Sequence, residues 1–456
     1  MSDRVKELVF TLVLLVVVGM GVTFDALVND VTPQAAADPP SGFFVERALF
    51  CPPAPEGTSA SVEVVAGGMD EDPVKLGTEG EEAPDPVDNQ IVVANPLTQP
   101  VDIVGYGGSV VAAQSETFEG PVEGTGAAPC SAEAGDKWFL PQGSSARGFN
   151  ERIVLYNPFP SEAVVRVRFL TGKGERSPAA LQEIPVASEG TTSIKVNDFI
   201  LQQNVLGAEI TAVRGRIAAW KVLFARAPDS PPGVGFSIGA REAAPEWFFP
   251  AGGVGADIDE RISLMNPGDE EAIVTISLIT DDGIVQPPAY VEFPIPRGSS
   301  RQLALRKQVG DLEGPVSVIV RSENDVPIVG ERTVFYDGEG FHGFSSELGA
   351  TSAANRWWLG PAVREPQRDS VIVMNVGDRD TTVSLRILFE SGAPREPERL
   401  QGLKVTAGSR LRIDLQGLTD QPSAVLLTSD SPVVAERVAF SAASSDVSIL
   451  LGIPLD

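Results

Sequence analysis

Residues 152–158 read Arg-Ile-Val-Leu-Tyr-Asn-Pro, an apolar run that is closed by an Asn-Pro pair. A similar apolar run closed by Asn returns at residues 261–267 and, with Val in place of Pro, at residues 371–376. The three Asn residues are spaced 109 residues apart. Because about 100 residues is the size of a whole small domain, this spacing predicts tandem copies of one fold.

Further landmarks keep the same register, which makes coincidence a poor explanation. They are the aromatic pairs Trp138-Phe139, Trp247-Phe248 and Trp357-Trp358, the glycines Gly174, Gly283 and Gly392, and the pairs Glu331-Arg332 and Glu436-Arg437, with a degraded copy of the last that ends at Lys221. The segments between the landmarks alternate apolar and polar residues, as at Val165–Phe169 and Leu411–Leu415. Such a period of two is typical of half-buried antiparallel strands.

The repeat length and the strand rhythm predict an all-β chain. About seven short strands fit into each repeat, which is the pattern of an immunoglobulin-like β-sandwich. The alternative is a β-propeller in which each repeat forms two four-stranded blades. We expect tandem sandwiches, with glycines at the hairpin turns.

The amino terminus carries a different signal. Residues 8–24 form 17 consecutive residues without a charge, the lower limit for a spanning helix. Arg4 and Lys6 precede this run and Asp25 follows it, so the positive-inside rule places residues 1–7 in the cytoplasm. We expect a single-pass plasma-membrane protein whose bulk lies outside. The alternative is a signal peptide cleaved near Ala35–Ala37, which leaves the bulk outside as well.

These observations divide the chain into seven segments. They are a cytoplasmic tail (1–7), a transmembrane signal-anchor (8–24), a linker (25–42), an incomplete acidic β unit (43–134) and three β repeats (135–243, 244–353 and 354–456). The fourth segment is incomplete because Asn95-Pro96 precedes Asn157 by only 62 residues.

Cys51 and Cys130 are the two cysteines of the chain. An even number of cysteines in an extracytoplasmic protein predicts a disulfide, and two unpaired buried thiols are the alternative. The acidic stretch 69–88 lies between them and is expected to be a solvated loop. Calcium binding by Asp70 and Asp72 is a weaker interpretation, since no calcium-loop spacing is present.

Composition argues against several function classes. The 62 acidic and 35 basic residues give a net charge of −27, which disfavours nucleic acid and anionic lipid as partners. With one His and two Cys, we expect no metal site and no cofactor. The Gly235–Gly239 segment matches a nucleophile elbow, but no helix is predicted after it, and His342 is the one possible base. A glycosidase that uses two carboxylates needs no histidine and is the least favoured alternative.

The aromatic pairs are the candidate contacts with a partner or a glycan: Trp138, Phe139, Trp247, Phe248, Trp357 and Trp358. Neighbours on a strand point to opposite faces, so one ring of each pair is free to be exposed and to stack on a sugar. The alternative is that both are buried, one inside the sandwich and one at the junction with the preceding domain. The Glu331-Arg332 and Glu436-Arg437 pairs are expected to form cross-strand ion pairs or to pack Arg on an aromatic ring.

The combination of these landmarks resembles repeats in an uncharacterised family of membrane-anchored actinobacterial envelope proteins. The residues that carry the resemblance, within 43–456, are Trp138, Asn157, Trp247, Asn266, Glu331, Arg332, Trp357, Asn375, Glu436 and Arg437. Such repeats often have Glu before the glycine of the aromatic strand, where this chain has Gln142 and Ala251. The resemblance implies an extracytoplasmic location, and members are often encoded beside a membrane glycosyltransferase. It implies no reaction.

The leading hypothesis is therefore a non-enzymatic, membrane-anchored scaffold or interaction protein that assists envelope glycan assembly. Its partner would be an envelope protein such as a membrane glycosyltransferase. The alternative is a protein that binds cell-wall polysaccharide through the aromatic pairs.

Overall fold

The computed structural model describes residues between 47 and 455 with several gaps. The described ranges are 47–55, 58–68, 74–77, 91–94, 101–105, 110–227, 231–363, 366–390, 392–419, 422–441 and 446–455. The predicted tail, transmembrane segment and linker, residues 1–42, lie outside the described residues, as do the calcium candidates Asp70 and Asp72. Within these ranges no helix is long and apolar enough to cross a membrane.

The N-terminal unit is all-β in its described part. Its strands are β1 (Arg47–Cys51), β2 (Ser59–Gly68), β3 (Val74–Gly77), β4 (Ile91–Ala94), β5 (Val101–Gly105), β6 (Val110–Glu119) and β7 (Gly124–Pro129). They form two antiparallel sheets, in the orders β1-β5-β3 and β4-β2-β6-β7.

Repeat 1 has the same plan with more strands. It contains β8 (Lys137–Leu140), β9 (Phe149–Asn157), β10 (Ala163–Thr171), β11 (Gly174–Arg176), β12 (Ile184–Val186), β13 (Gly190–Lys195), β14 (Leu206–Arg214), β15 (Ala218–Ala225) and β16 (Gly233–Ile238), with single 3-10 turns at Ala179–Leu181 and Val196–Asp198. One sheet has the order β11-β10-β14-β8, with β12 also paired to β10, and the other has the order β13-β9-β15-β16.

Repeat 2 copies repeat 1. It contains β17 (Glu246–Phe249), β18 (Gly253–Val254), β19 (Ile258–Asn266), β20 (Ala272–Thr280), β21 (Gly283–Val285), β22 (Phe293–Ile295), β23 (Ser299–Ala304), β24 (Gly314–Pro315), β25 (Ser317–Ser322), β26 (Val329–Gly338) and β27 (Phe341–Leu348), with 3-10 turns at Pro288–Tyr290 and Leu305–Lys307. Its sheets are β17-β25-β20-β21, with β22 on β20, and β23-β19-β26-β27, and β18 pairs with β24.

Repeat 3 differs in one long strand. It contains β28 (Ala354–Leu359), β29 (Pro366–Met374), β30 (Thr381–Phe389), β31 (Leu403–Val405), β32 (Arg410–Asp414), β33 (Ser423–Ser441), β34 (Val447–Leu451) and β35 (Ile453–Pro454), with a 3-10 turn at Glu398–Leu400. The first part of β33 pairs with β28 and β30, and its last part pairs with β29 and β34. One continuous strand thus contributes to both sheets, where repeat 2 uses β25 and β26.

The two sheets of a repeat enclose one apolar core, as the halves of a sandwich do. In repeat 1 this core joins Val165 and Val167 of one sheet to Ile153 and Leu155 of the other. The predicted all-β, sandwich-like fold is confirmed, and the shared core favours it over the propeller alternative. The predicted turn glycines Gly174, Gly283 and Gly392 have φ values of 102°, 121° and 97°, in a region that favours glycine.

The recurring Asn has a structural explanation. The side-chain amides of Asn157, Asn266 and Asn375 each donate a 2.8 Å hydrogen bond to the backbone carbonyl oxygen four residues later. Each amide also reaches a carbonyl oxygen about thirty residues further on, as Asn266 reaches that of Ile295 at 3.0 Å. The Asn therefore ties the end of one strand to a second strand, and buried backbone groups are satisfied in the same way in every repeat.

The predicted disulfide is confirmed. Cys51, at the end of β1, is bonded to Cys130, which directly follows β7. The bond therefore joins the first and last strands of the N-terminal unit and links its two sheets. Both cysteines are buried.

The four units contact one another in a closed cycle. The last strand of each unit (β7, β16, β27 and β34, here the axial strands) packs against the axial strands of the two neighbouring units, and β34 returns to β7. Apolar clusters fill the junctions, for example Phe335 and Phe344 of repeat 2 with Leu223 and Ala225 of repeat 1. The repeats are therefore arranged as a ring within residues 47–455.

Small residues allow the axial strands to approach. A Cβ atom on Gly126 would lie 2.4 Å from the Cβ of Phe236, and one on Gly233 would lie 2.8 Å from the backbone N of Phe344. Since real Cβ atoms do not approach neighbours so closely, glycine is required at these positions. The sequence thus specifies ring closure as well as the individual sandwiches.

Candidate functional site at the junctions between repeats

Each of the four units contains an equivalent backbone hydrogen bond, which identifies equivalent residues in the units. It runs from Cys130 N to Ala112 O, Gly239 N to Ala219 O, Gly349 N to Gly330 O, and Gly452 N to Ala435 O. The residue after each acceptor is therefore equivalent: Ala113, Trp220, Glu331 and Glu436. The next residue is equivalent too: Gln114, Lys221, Arg332 and Arg437.

At two junctions the cation of one repeat binds the carboxylate of the next repeat. Lys221 Nζ lies 2.7 Å from Glu331 Oε1, and Arg332 Nη1 lies 2.9 Å from Glu436 Oε2. All four side chains are at most 1% exposed. Burying a charge is costly unless it is paired and hydrogen-bonded, so these pairs fix how one repeat sits on the next.

The turn after the first strand of each repeat completes the arrangement. The backbone N–H groups of Gln142 and Ala251 donate to Glu331 and Glu436, at 3.2 Å and 2.7 Å. The backbone carbonyl oxygens of the same two turn residues accept hydrogen bonds from the cations of their own repeats. Each of these two junctions is thus a small, buried network of charged side chains and backbone groups.

The junction between repeat 3 and the N-terminal unit follows a different scheme. Ala113 stands where the acceptor carboxylate would be, so Arg437 has no acid to bind across this junction. It binds Asp369 of its own repeat instead, with Nε and Nη2 at 3.0 Å and 2.6 Å from the two carboxylate oxygens. Thr419 donates a further hydrogen bond to this carboxylate. The ion pair is therefore internal to repeat 3.

Additional carboxyl groups are buried beside the ion pairs. Burial raises the pKa of Glu151 and of Glu260 from 4.5 to about 8, against the opposing effect of Lys221 and Arg332 respectively. Burial also raises the pKa of Glu347 well above its usual value. All three shifts have the same direction and the same main cause, so these buried carboxyl groups keep their protons to higher pH than an exposed glutamate does.

A further buried carboxyl lies at the axial strands. Asp446 accepts hydrogen bonds from Thr125 N at 2.6 Å and from Val447 N at 2.7 Å. A Cβ atom on Gly343 would lie 1.7 Å from its Oδ1. Asp446 thus joins repeat 3 to the N-terminal unit next to repeat 2. Burial raises its pKa to about 8, and the two backbone N–H groups partly oppose this effect.

The six aromatic candidates are all buried. Their exposed fractions do not exceed 6% for any of Trp138, Phe139, Trp247, Phe248, Trp357 and Trp358. The first ring of each pair packs in the core of its own repeat, and the second ring packs in the cluster of the following unit. This arrangement matches the alternative in which both rings of a pair are buried. It differs in one respect, because the second ring lies at the junction with the following unit and not with the preceding one. No ring face of these six is free for a sugar in this structure.

The three core tryptophans form equivalent hydrogen bonds. The Nε1–H groups of Trp138, Trp247 and Trp357 donate to the carbonyl oxygens of Ile217, Ile328 and Val433, at 2.7, 2.9 and 2.8 Å. A buried indole needs such a partner. This explains why tryptophan recurs at this position of each repeat.

The remaining candidate residues from the sequence do not form a common site. Ser237 is buried in β16 and donates to Glu331 at 2.9 Å, so it is not at a strand-to-helix turn. His342 is exposed and is hydrogen-bonded to Asp337. Among the described residues no group of three acidic, Cys or His side chains is placed to hold a metal ion.

The chain matches a known protein family over most of its length. The family of unknown function DUF5719 matches residues 94–358 and 348–446, most of the chain. This chain belongs to DUF5719. The matched ranges contain every residue of the junction ion pairs. No curated protein matches the chain.

Solved structures add little to the DUF5719 assignment. The crystal structure of Thermotoga maritima 1070 is 26% identical, with 24% of this chain and 95% of that chain covered and a TM-score of 0.21. The Streptomyces avermitilis alpha-L-rhamnosidase complexed with L-rhamnose is 10% identical, with 87% and 54% covered and a TM-score of 0.13. With such TM-scores neither structure supports a conclusion about fold or function.

The environment of Lys221 in this DUF5719 protein was not predicted from the sequence. Two signals for it were visible: Lys221 ends the degraded copy of the Glu-Arg landmark, and Gln142 departs from the expected turn residue. In the structure these two departures lie in contact, since Lys221 Nζ is 2.6 Å from Gln142 Oε1.

Proposed function

We propose that this DUF5719 protein is a non-enzymatic scaffold of the cell envelope. It would be anchored by residues 8–24, with its repeats outside the membrane, and would hold an envelope partner such as a membrane glycosyltransferase of glycan assembly. The observation that carries the proposal is the closed ring of β units with buried ion pairs at two of its junctions. Such a ring resists bending, which suits a protein that positions others.

The use of its polar groups supports a structural role. The buried cations Lys221, Arg332 and Arg437 are each bound to a carboxylate. A glycosidase of the two-carboxylate type needs its carboxyl pair within reach of substrate, whereas the carboxylates bound to these cations are buried. The Cys51–Cys130 disulfide favours an oxidising, extracytoplasmic location.

The test is crosslinking in living cells that express the full chain, followed by mass spectrometry of the proteins that co-purify. The control is the same chain without residues 8–24. A membrane protein recovered reproducibly with the full chain and lost with the control supports the scaffold. Recovery of cell-wall polysaccharide without a protein partner supports the glycan-binding alternative. Release of sugar from that polysaccharide by the purified chain would refute a non-enzymatic role.

A further inference from the structure

The side chain of Lys221 lies in a closed polar pocket at the junction of repeats 1 and 2. Its Nζ is 2.6 Å from Gln142 Oε1 and 2.7 Å from Glu331 Oε1. Lys221 and Glu331 are fully buried, and Gln142 and Ser346 are nearly so. A primary amine, a carboxamide and a carboxylate are therefore held together without solvent.

We propose that Lys221 and Gln142 become joined by an intramolecular isopeptide bond when repeats 1 and 2 dock, with Glu331 as the proton acceptor. This modification is independent of the scaffold role. It covalently links the turn after β8 to strand β15.

The reaction is balanced without an added reagent. Lys221 transfers a proton to Glu331, and the free amine attacks Gln142 Cδ to form a C–N bond. The bond between Cδ and Nε2 of Gln142 then breaks, and the proton held by Glu331 leaves with the nitrogen as ammonia. A second amine proton is lost when the amide forms and returns to Glu331, so the carboxyl is neutral in the product and ammonia leaves uncharged. Nothing is oxidised or reduced.

The pocket supplies the groups that the tetrahedral intermediate needs. Ser346 Oγ donates to Glu331 Oε1 at 2.5 Å and lies 3.2 Å from Gln142 Oε1. Once Glu331 has taken the lysine proton, the O–H can turn to the developing oxyanion. Fixing amine and amide in contact replaces a collision between two molecules. The product is a neutral amide beside a protonated Glu331, so no unpaired charge stays buried at the junction.

The reacting groups come from different repeats. Gln142 and Lys221 belong to repeat 1, whereas Glu331 and Ser346 belong to repeat 2. The bond therefore forms only at an assembled junction. The next junction has Arg332 and Ala251 at the equivalent positions, which offer neither an amine nor a carboxamide, and it serves as an internal comparison.

The decisive measurement is the intact mass of the purified full chain after reduction of its disulfide. We expect a mass that is lower than the sequence mass by one ammonia. Proteolysis and tandem mass spectrometry should recover one branched species in which the peptides of Gln142 and Lys221 are joined. Recovery of these two peptides as separate species, with no loss of ammonia in the intact chain, would overturn the proposal.

Variants locate the chemistry. Lys221→Arg and Gln142→Ala each introduce the residue that repeat 2 already has, so the fold should accept them, and neither should lose ammonia. Glu331→Gln should also leave the peptides unlinked. The matched controls are Lys195→Arg, at an exposed lysine of repeat 1, and Glu436→Gln, at the equivalent acid of the next junction. Both controls should keep the branched peptide, and an unchanged branched peptide in Lys221→Arg would refute the assignment.

Discussion

Replacing the buried Glu260 by Gln should stabilise the protein at alkaline pH, although it removes an ionisable group beside Arg332. Burial raises the pKa of Glu260 from 4.5 to about 8. Gln has the shape of the protonated carboxyl and does not ionise. The Glu260 Oε2 atom accepts a 2.9 Å hydrogen bond from Gly253 N, which the amide oxygen of Gln can accept as well.

The direction and the size of this pH effect on the free energy of unfolding follow from the proton that Glu260 binds on folding. Between pH 4.5 and about 8 the folded state keeps a proton on Glu260 that the unfolded chain has released. The contribution of Glu260 to stability is therefore greatest at low pH and declines as the pH rises to about 8. One pKa unit corresponds to about 1.4 kcal/mol. From about pH 5 to about pH 8 the wild-type chain should lose about 3 kcal/mol more than the variant does.

The assay is urea unfolding of both proteins at these two pH values. The other buried carboxyl groups are the same in both chains, so their effects cancel in the difference. Glu183→Gln, at an exposed residue of repeat 1, is the matched control and should follow the wild-type chain. Parallel pH dependences for the wild type and Glu260→Gln would refute the argument that Glu260 is protonated in the fold.

Three further changes test the ring. Replacing both Cys51 and Cys130 by Ala should lower the free energy of unfolding by about 4 kcal/mol, because the disulfide closes a long loop; urea unfolding of the non-reduced proteins measures this. Gly126→Ala would place a Cβ atom 2.4 Å from a side chain of repeat 1, and should cost about 2 kcal/mol and accelerate proteolysis near the N-terminal unit. Arg332→Met should cost about 3 kcal/mol because buried Glu436 loses its cation, whereas Arg214→Met, at an exposed pair, should cost less than about 1 kcal/mol in the same assay.

Much of the fold could be predicted from the sequence because its signals are local. The period-two alternation of Val165–Phe169 depends on one strand and its two faces, and this segment lies in β10. The spacing of Asn157, Asn266 and Asn375 was visible because each amide performs the same bonding at a strand end. The Cys51–Cys130 disulfide followed from the even number of cysteines in a chain expected to lie outside the cytoplasm.

The environment of the aromatic pairs could not be predicted in the same way. Strand alternation placed Trp357 and Trp358 on opposite faces, and the structure buries Trp357 in repeat 3 and Trp358 against the N-terminal unit. Whether the second face is wet or dry depends on a neighbouring unit far away in the sequence. A period-two pattern reports which face a residue is on, and does not report what covers that face.

The partners in the buried ion pairs could not be predicted from the sequence for the same reason. Glu331 and Arg332 are adjacent in sequence, yet Glu331 binds Lys221 of the preceding repeat and Arg332 binds Glu436 of the following one. The expected cross-strand pairing within a repeat describes Arg437 with Asp369, and the expected packing on an aromatic ring describes Arg332 with Phe249. Adjacent residues on a strand point apart, so the partners had to come from other elements, and only ring closure identifies them.

The N-terminal unit is the point at which the ring changes its chemistry. Ala113 and Gln114 replace the acid and the cation there, so repeat 3 docks on this unit through an apolar cluster that includes Trp358 and Leu450. The closing hydrogen bond runs from Thr125 N to Asp446, whose pKa burial raises to about 8. A raised carboxyl pKa stabilises the fold at low pH and loses that effect as the pH rises to about 8. Closure of the ring should thus weaken with alkaline pH at this junction, while the ion pairs still hold the three repeats together.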